Sequence, residues 1–252
     1  MTRALTRTNF HSSRLIRTLA DLAVLETAEP STAFGEKLGL WIDFADAIAL
    51  TRVHNASAQA APAPVLAAVG LSVHDEFAKT RASLERAIAK SGSPNTGRTR
   101  AELSMPKLDL PLEDTKVYTP FRRYHLAHQR DMENHVRSVR AKVRDGVAAA
   151  SPKLRQLAAL DAAFDGILCE REARLLSTIP SLMEKRFNQM RKAHLQTPPS
   201  DNNPDLWMTP CAWLARFCSE LQNVLLAELD LRLQPAVGLL EALHNEKILQ
   251  PV

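Results

Sequence analysis

Glycine is scarce in this chain, with 8 residues in 252. A phosphate-cradling loop has little to be built from, and no Gly-x-x-x-x-Gly-Lys, Gly-x-Gly-x-x-Gly or Gly-x-Ser-x-Gly occurs. Cysteine is equally sparse. Cys169, Cys211 and Cys218 cannot all pair with one another, and there is no Cys-x-x-Cys. A disulfide framework is therefore not expected, and a reducing, cytoplasmic compartment is. Aromatic residues make up only 5% of the chain. No apolar stretch approaches the roughly 20 residues that a membrane span needs. Near the start, Arg14 and Arg17 interrupt the apolar residues, so no secretory pattern forms. Arg3, Arg7, Arg14 and Arg17 all precede the first acid, Asp21, as in an organelle transit peptide. A basic first helix accounts for them equally and is the preferred reading.

Valine and isoleucine are few beside alanine and leucine, a balance that favours helices because Ala, Leu, Arg and Glu lose little freedom there. The net charge of +4, with pI ≈ 9.1, is too small by itself to imply nucleic acid. Ser12 or Ser13 is positioned to cap a first helix carrying Leu15, Ile16, Leu19, Leu22 and Ala23 and closing near Pro30. A second helix is expected over residues 33–58, with Phe34, Leu38, Trp41, Ala45, Ile48 and Ala49 as its stripe. A third, over 72–90, has a narrow stripe of Val73, Phe77, Leu84 and Ile88, which suggests light packing or a partner-facing seam. Loop composition and Pro106, Pro111 and Pro120 follow, with Leu108, Leu110 and Leu112 alternating. Proline argues against a central strand, so this reads as an extended arm laying its leucines on helices.

Beyond the arm the pattern is stronger. Thr119–Pro120 opens a helix to about residue 149, and Ser151–Pro152 opens another to about 179. Pro180 is expected to break or kink that helix before it resumes over 181–195. Thr209–Pro210 then opens a helix to about 233, and Pro235 restarts a last one to about 244. The expected organisation is all-α: an N-terminal helical region (1–90), a proline-rich arm (91–117) and an antiparallel C-terminal bundle (118–252).

On the helix after Pro120, turned at 100° per residue, Phe121, Tyr124, Met132, Val136, Val139 and Val143 fall on one side. Arg122, Arg123, Arg130, Arg137, Arg140 and Arg144 gather on the other, interrupted only by Glu133. One account is a solvated polar face. The other is a partner-binding surface about 33 Å long. No aromatic residue stands among the arginines to stack on bases, so an acidic protein surface is expected ahead of nucleic acid.

His125, His128 and His135 lie toward the apolar side of that helix. Asp161, Asp165 and Glu228 occupy or edge the apolar faces of later helices, so these six are expected to meet as a polar cluster in the core. A buried carboxylate needs a partner, and Glu228 is the leading candidate to face a histidine. A hydrogen-bond network is the plainer reading of the cluster. A metal site is weaker, because the Glu-x-x-His pairs of di-iron bundles are missing. Cys211 and Cys218 share a helix face as small core residues. No catalytic residue, cofactor or metal is assigned.

Over Thr119–Arg144 and Leu154–Phe187 the chain resembles a family of uncharacterised proteobacterial proteins known only as a domain of unknown function. The resemblance brings no catalytic residues. It implies genes beside proton-channel-like subunits and outer-membrane peptidoglycan-binding proteins, and hence a cytosolic accessory to an envelope assembly. The expectation is a non-enzymatic adaptor or scaffold, with nucleic-acid binding through the arginine face as the alternative and a metal-dependent enzyme or sensor as the weaker one.

Overall fold

The computed structural model describes residues 13–24, 34–55, 66–89, 104–106, 108, 111–112, 114, 116–196 and 212–249. All regular structure among them is helical, so the protein is all-α. The helices are α1 (Arg14–Asp21), α2 (Phe34–Gly39), α3 (Phe44–Asn55), α4 (Leu66–Ala89), α5 (Thr119–Ala150), α6 (Pro152–Leu176), α7 (Ile179–Leu195) and α8 (Trp213–Leu249).

Their contacts divide the chain into two compact units, and this division does not follow the linear order expected from sequence. Unit 1 comprises Met1–Thr27, Ala87–Arg130 and Ile179–Leu231; unit 2 comprises Ala28–Arg86, Asp131–Thr178 and Arg232–Val252. The boundary falls inside α4, α5 and α8, because helices of 24, 32 and 37 residues are long enough to contribute to both.

Unit 1 gathers much of the chain's small aromatic content. Tyr118, Phe121, Phe187 and Phe217 form one cluster with ring centroids 5.0–6.3 Å apart, and Trp213 joins it at 5.4 Å from Phe187. Each such pair adds about 0.5–1.5 kcal/mol beyond burial. The Tyr118 hydroxyl donates to the Pro180 carbonyl at 2.9 Å. Leu15 and Leu19 of α1 and Leu22 just after it are buried, and Arg14 pairs with Asp230 at 2.6 Å. Ser13 takes the extended N-cap backbone, but its hydroxyl caps nothing. The helix stops at Asp21, short of the expected Pro30. Ala23 N–H donates to Ala20 O, Val24 N–H donates to Leu19 O, and Ala23 sits at φ 53°. This is a Schellman closure with alanine where glycine is usual. In the arm, Leu112 is buried and Leu108 half-buried, while Leu110 lies outside the described residues. Arg191 fixes the arm by donating to the carbonyls of Leu112 and Asp114 at 3.1 and 3.3 Å.

Unit 2 is built on Phe77, Leu84, Met132, Val139, Val143, Leu154, Leu233 and Leu243, all buried. A Cβ on Gly146 of α5 would fall on the Val73 side chain of α4, so glycine permits the close approach of these helices. Ser151 caps α6 by accepting from Leu154 N–H at 3.2 Å, with Pro152 in the first turn.

Several expected boundaries move. The helix expected over 33–58 is broken between Gly39 and Phe44. There Asp46 N–H donates to Asp43 Oδ1 and Asp43 N–H to Asp46 Oδ2, a reciprocal capping box that starts α3 afresh. In the stripe assigned to that helix, Ala45 and Ala49 are exposed, Trp41 and Ile48 are 37% and 38% exposed and Leu38 is half-buried, while the Phe34 side chain lies outside the described residues. The α4 helix begins at Leu66, before the expected residue 72. Its narrow stripe is no partner seam, because Phe77 and Leu84 are buried in unit 2 and Ile88 in unit 1. Pro180 opens α7 instead of breaking a longer helix; the break comes earlier, at Ser177–Thr178. Pro235 lies inside one continuous α8. A mid-helix proline costs about 3 kcal/mol. Burial of Leu229 before it, and of Ala236, Leu239, Leu240 and Leu243 after it, holds the helix through.

Candidate functional site

The six arginines of α5 do not share one fate. In unit 2, Arg140 and Arg144 stand one turn apart and face Asp161 and Asp165, one turn apart on α6. Arg140 grips Asp161 bidentately, Nε to Oδ2 at 3.0 Å and Nη2 to Oδ1 at 2.6 Å, and reaches Asp165 Oδ1 at 2.7 Å. Arg144 Nε donates to Asp161 Oδ2 at 2.6 Å, and its Nη2 donates to Asp165 Oδ2. The arginine side chains are 12% and 19% exposed, and Asp161 is 13% exposed. Burial pushes the Asp161 carboxyl up, but the hydrogen bonds from Arg140 and Arg144 more than reverse this and hold it below the ordinary carboxylate range. These two arginines therefore join helices, and the expectation that they line an open face is corrected. Arg137 is 70% exposed and pairs with Glu133 at 2.6 Å along its own helix.

In unit 1, Arg122, Arg123 and Arg130 are exposed. None of the three has an ion pair among the described residues. Arg130 lies seven residues beyond Arg123, nearly above it on the helix.

The expected six-residue polar cluster also divides. Asp161 and Asp165 belong to the arginine network. His135 is half-exposed, with Nδ1 2.8 Å from the Asp131 carbonyl one turn earlier, so it is outside the core. What remains, in unit 1, is His125, His128 and Glu228, all at most 1% exposed. His125 Nε2 lies 3.4 Å from Glu228 Oε2. Gln129, which sequence reading passed over, supplies the stronger bond: its amide donates to both carboxylate oxygens at 3.0 and 3.1 Å. Its position one turn after His125, on the apolar side of α5, was the available signal. The His128 ring stacks edge-on against Tyr124 at 4.5 Å. Among the described residues, no group of three or more His, Cys, Asp or Glu could hold a metal ion. The arrangement satisfies a buried carboxylate.

A family model described as a protein of unknown function (DUF3348) matches residues 1–245. The chain belongs to the DUF3348 family. No curated protein and no solved structure matches it. The family carries no assigned activity, so roles in this DUF3348 protein rest on its own geometry.

The described cysteines of this DUF3348 chain are Cys169 and Cys218. Burial pushes the Cys218 thiol up to about 11, which keeps it protonated at neutral pH. Cys169 is exposed, and Cys211 lies outside the described residues. In unit 1 Glu220 holds Arg186 bidentately at 2.8 Å and Arg216 at 3.1 Å, a second interhelical tie that sequence reading did not single out. Arg186 on α7 and Glu220 on α8 are 34 positions apart, and no periodic pattern within either helix pairs them.

Proposed function

We propose that this DUF3348 protein is a non-enzymatic bacterial adaptor that works in the cytoplasm, accessory to a cell-envelope assembly, and docks an acidic protein surface on the first half of α5. One observation supports the reading above the others. Arg140 and Arg144 are neutralised by Asp161 and Asp165, whereas Arg122, Arg123 and Arg130 stand exposed with no acid partner among the described residues. Arginine suits carboxylates because its planar fork engages both oxygens at once. No described helix is long and apolar enough to cross a membrane, which leaves this face available to a protein in the aqueous phase.

The test reverses Arg122→Glu, Arg123→Glu and Arg130→Glu together. All three are exposed, so the variant keeps the helical content of the parent. Capture from a bacterial lysate followed by mass spectrometry should lose an acidic partner retained by the parent, with affinity down at least about tenfold. Retention of every parental partner would refute the assignment. Salt-dependent binding of random duplex DNA by the parent, lost in the variant, would replace the protein partner with nucleic acid.

A further inference from the structure

The exposed arginines on the first half of α5 are joined by apolar side chains. Arg123 and Arg130 are exposed, and Leu126 and Ala127 between them are half-buried. At 100° per residue these four fall within an arc of about 100°, with Arg123 and Arg130 only about 20° apart and Arg122 about 40° beyond its edge. Behind them Phe121, Tyr124 and His128 are at most 1% exposed. The helix is thus seated on the core of unit 1, and its outer face is in place before anything binds. That face is a strip with a cation at each end and a low apolar step in the middle.

Charge, spacing and side-chain size name the occupant. Arg122, Arg123 and Arg130 have no ion pair among the described residues, so carboxylates suit both ends of the strip. Seven residues of α-helix set Arg123 and Arg130 about 10.5 Å apart along the axis. On an extended chain, side chains of one face recur every two residues, at about 6.8 Å and then about 13.6 Å, and match neither end together. On a second helix, residues i and i+7 stand on one face at the required distance. Ala127 carries a single methyl group and leaves room for helix axes about 8 Å apart, and Leu126 offers apolar contact beside it. We infer that the strip docks an acidic amphipathic helix of a partner protein, lying along α5 with two carboxylates two turns apart and an apolar residue between them. The inference rests on the adaptor reading and narrows its partner from an acidic surface to an acidic helix.

Fluorescence anisotropy of labelled synthetic peptides with the full chain tests it. The probe is an alanine-rich helical peptide of about 20 residues, with two glutamates seven positions apart and a leucine between them. Two controls keep its composition or charge. One sets the glutamates five positions apart, about 140° around the helix; the other places a proline at the centre and breaks the helix. The probe should bind at least about tenfold more tightly than either control, and Arg123→Glu with Arg130→Glu should abolish the difference. Ala127→Gln adds bulk to the strip without changing its charge, and should weaken the probe at least about tenfold with the protein's circular dichroism unchanged. Unchanged affinity in a folded Ala127→Gln variant would overturn the close helix pairing. The peptide comparison uses the parent alone and stands whether or not that variant folds. Equal binding of the three peptides would overturn the helix and leave an acidic partner in place. No binding of the probe at up to about 1 mM would also overturn it. Loss of a lysate partner on reversing Arg122, Arg123 and Arg130 would then show that the adaptor reading survives alone, and retention of every partner would refute both.

Discussion

Replacing Asp161→Ala separates an arginine that ties helices from one that coats a surface. In the folded chain Asp161 accepts three hydrogen bonds, two from Arg140 and one from Arg144. Hydrogen bonds to charged groups contribute about 1.5–3 kcal/mol each when well enclosed. Here the estimate is lower for two reasons. Water reaches the site, with side chains 12–30% exposed, and Asp165 remains to hold both guanidiniums. Stranding a fully buried partner costs about 3–5 kcal/mol, so about 2–3 kcal/mol is the reasonable expectation. For a chain of this size that lowers the melting midpoint by roughly 5–10 °C. Glu133→Ala removes an equally short pair, Arg137–Glu133, but one 70% and 48% exposed along one helix. It should cost no more than about 0.5 kcal/mol. Thermal melts followed by circular dichroism would measure both, and a double-mutant cycle with Arg144→Met would isolate the coupling. Equal, small effects for Asp161→Ala and Glu133→Ala would refute the claim that burial divides the arginines.

The same pair makes a prediction about acid. Arg140 and Arg144 depress the folded-state value of Asp161 below its unfolded one. Its contribution is therefore full above the unfolded value, near pH 4, and is lost as pH falls through the depressed folded value. Glu220, held by Arg186 and Arg216 against the upward push of burial, behaves in the same sense. Stability measured from pH 7 downward should fall less steeply below pH 4 in Asp161→Asn than in the parent. Parallel curves would show that the aspartate is not depressed.

Gly146→Ala places a methyl group on the Val73 side chain and should destabilise unit 2 by about 1–3 kcal/mol. Val73→Ala should recover part of the loss, and Gly166→Ala, whose Cβ meets nothing within 4 Å, should instead stabilise α6 by about 0.5–1 kcal/mol. Ala23→Gly should stabilise the α1 closure by up to about 1 kcal/mol, because Ala23 holds φ 53°, a conformation that costs an L-residue energy and glycine nothing; a loss of stability in the melt would count against it.

Where the sequence was legible, the signal was local. The Ser151 cap and Pro152 set the start of α6, and the apolar arc of α5 correctly predicted the burial of Phe121, Tyr124, Met132, Val136, Val139 and Val143. The boundaries that moved were those where proline or a short polar motif competes with context. Pro235 reads as a stop, but the buried leucines on either side carry α8 through it. The Asp43–Asp46 box is a start signal inside an apolar run, and periodicity alone joined the two helices across it. At the candidate sites, residue type was legible and pairing was not. Asp161 and Asp165 edge the apolar arc of α6 as Glu228 sits within that of α8. Only tertiary placement gives the first two to arginines and the last to Gln129 and His125.

That placement also decides which charge reversal is informative. On sequence alone, Arg137, Arg140 and Arg144 are the natural set, because they lie opposite the apolar stripe of α5. In the folded chain, Arg140→Glu and Arg144→Glu would press two new carboxylates against Asp161 and Asp165 at positions less than one-fifth exposed. Like charges at that range, with no cation between them, would separate α5 from α6. A lost partner would then report unfolding and not recognition. Arg122, Arg123 and Arg130 carry no such interhelical bond among the described residues, so reversing them perturbs the surface alone. The two sets make opposite predictions in a melt. The first should lower the midpoint by more than Asp161→Ala does, and the second should leave it within about 1–2 °C of the parent. If the second set also unfolds the protein, the exposed half of α5 is structural, and the adaptor reading loses its surface.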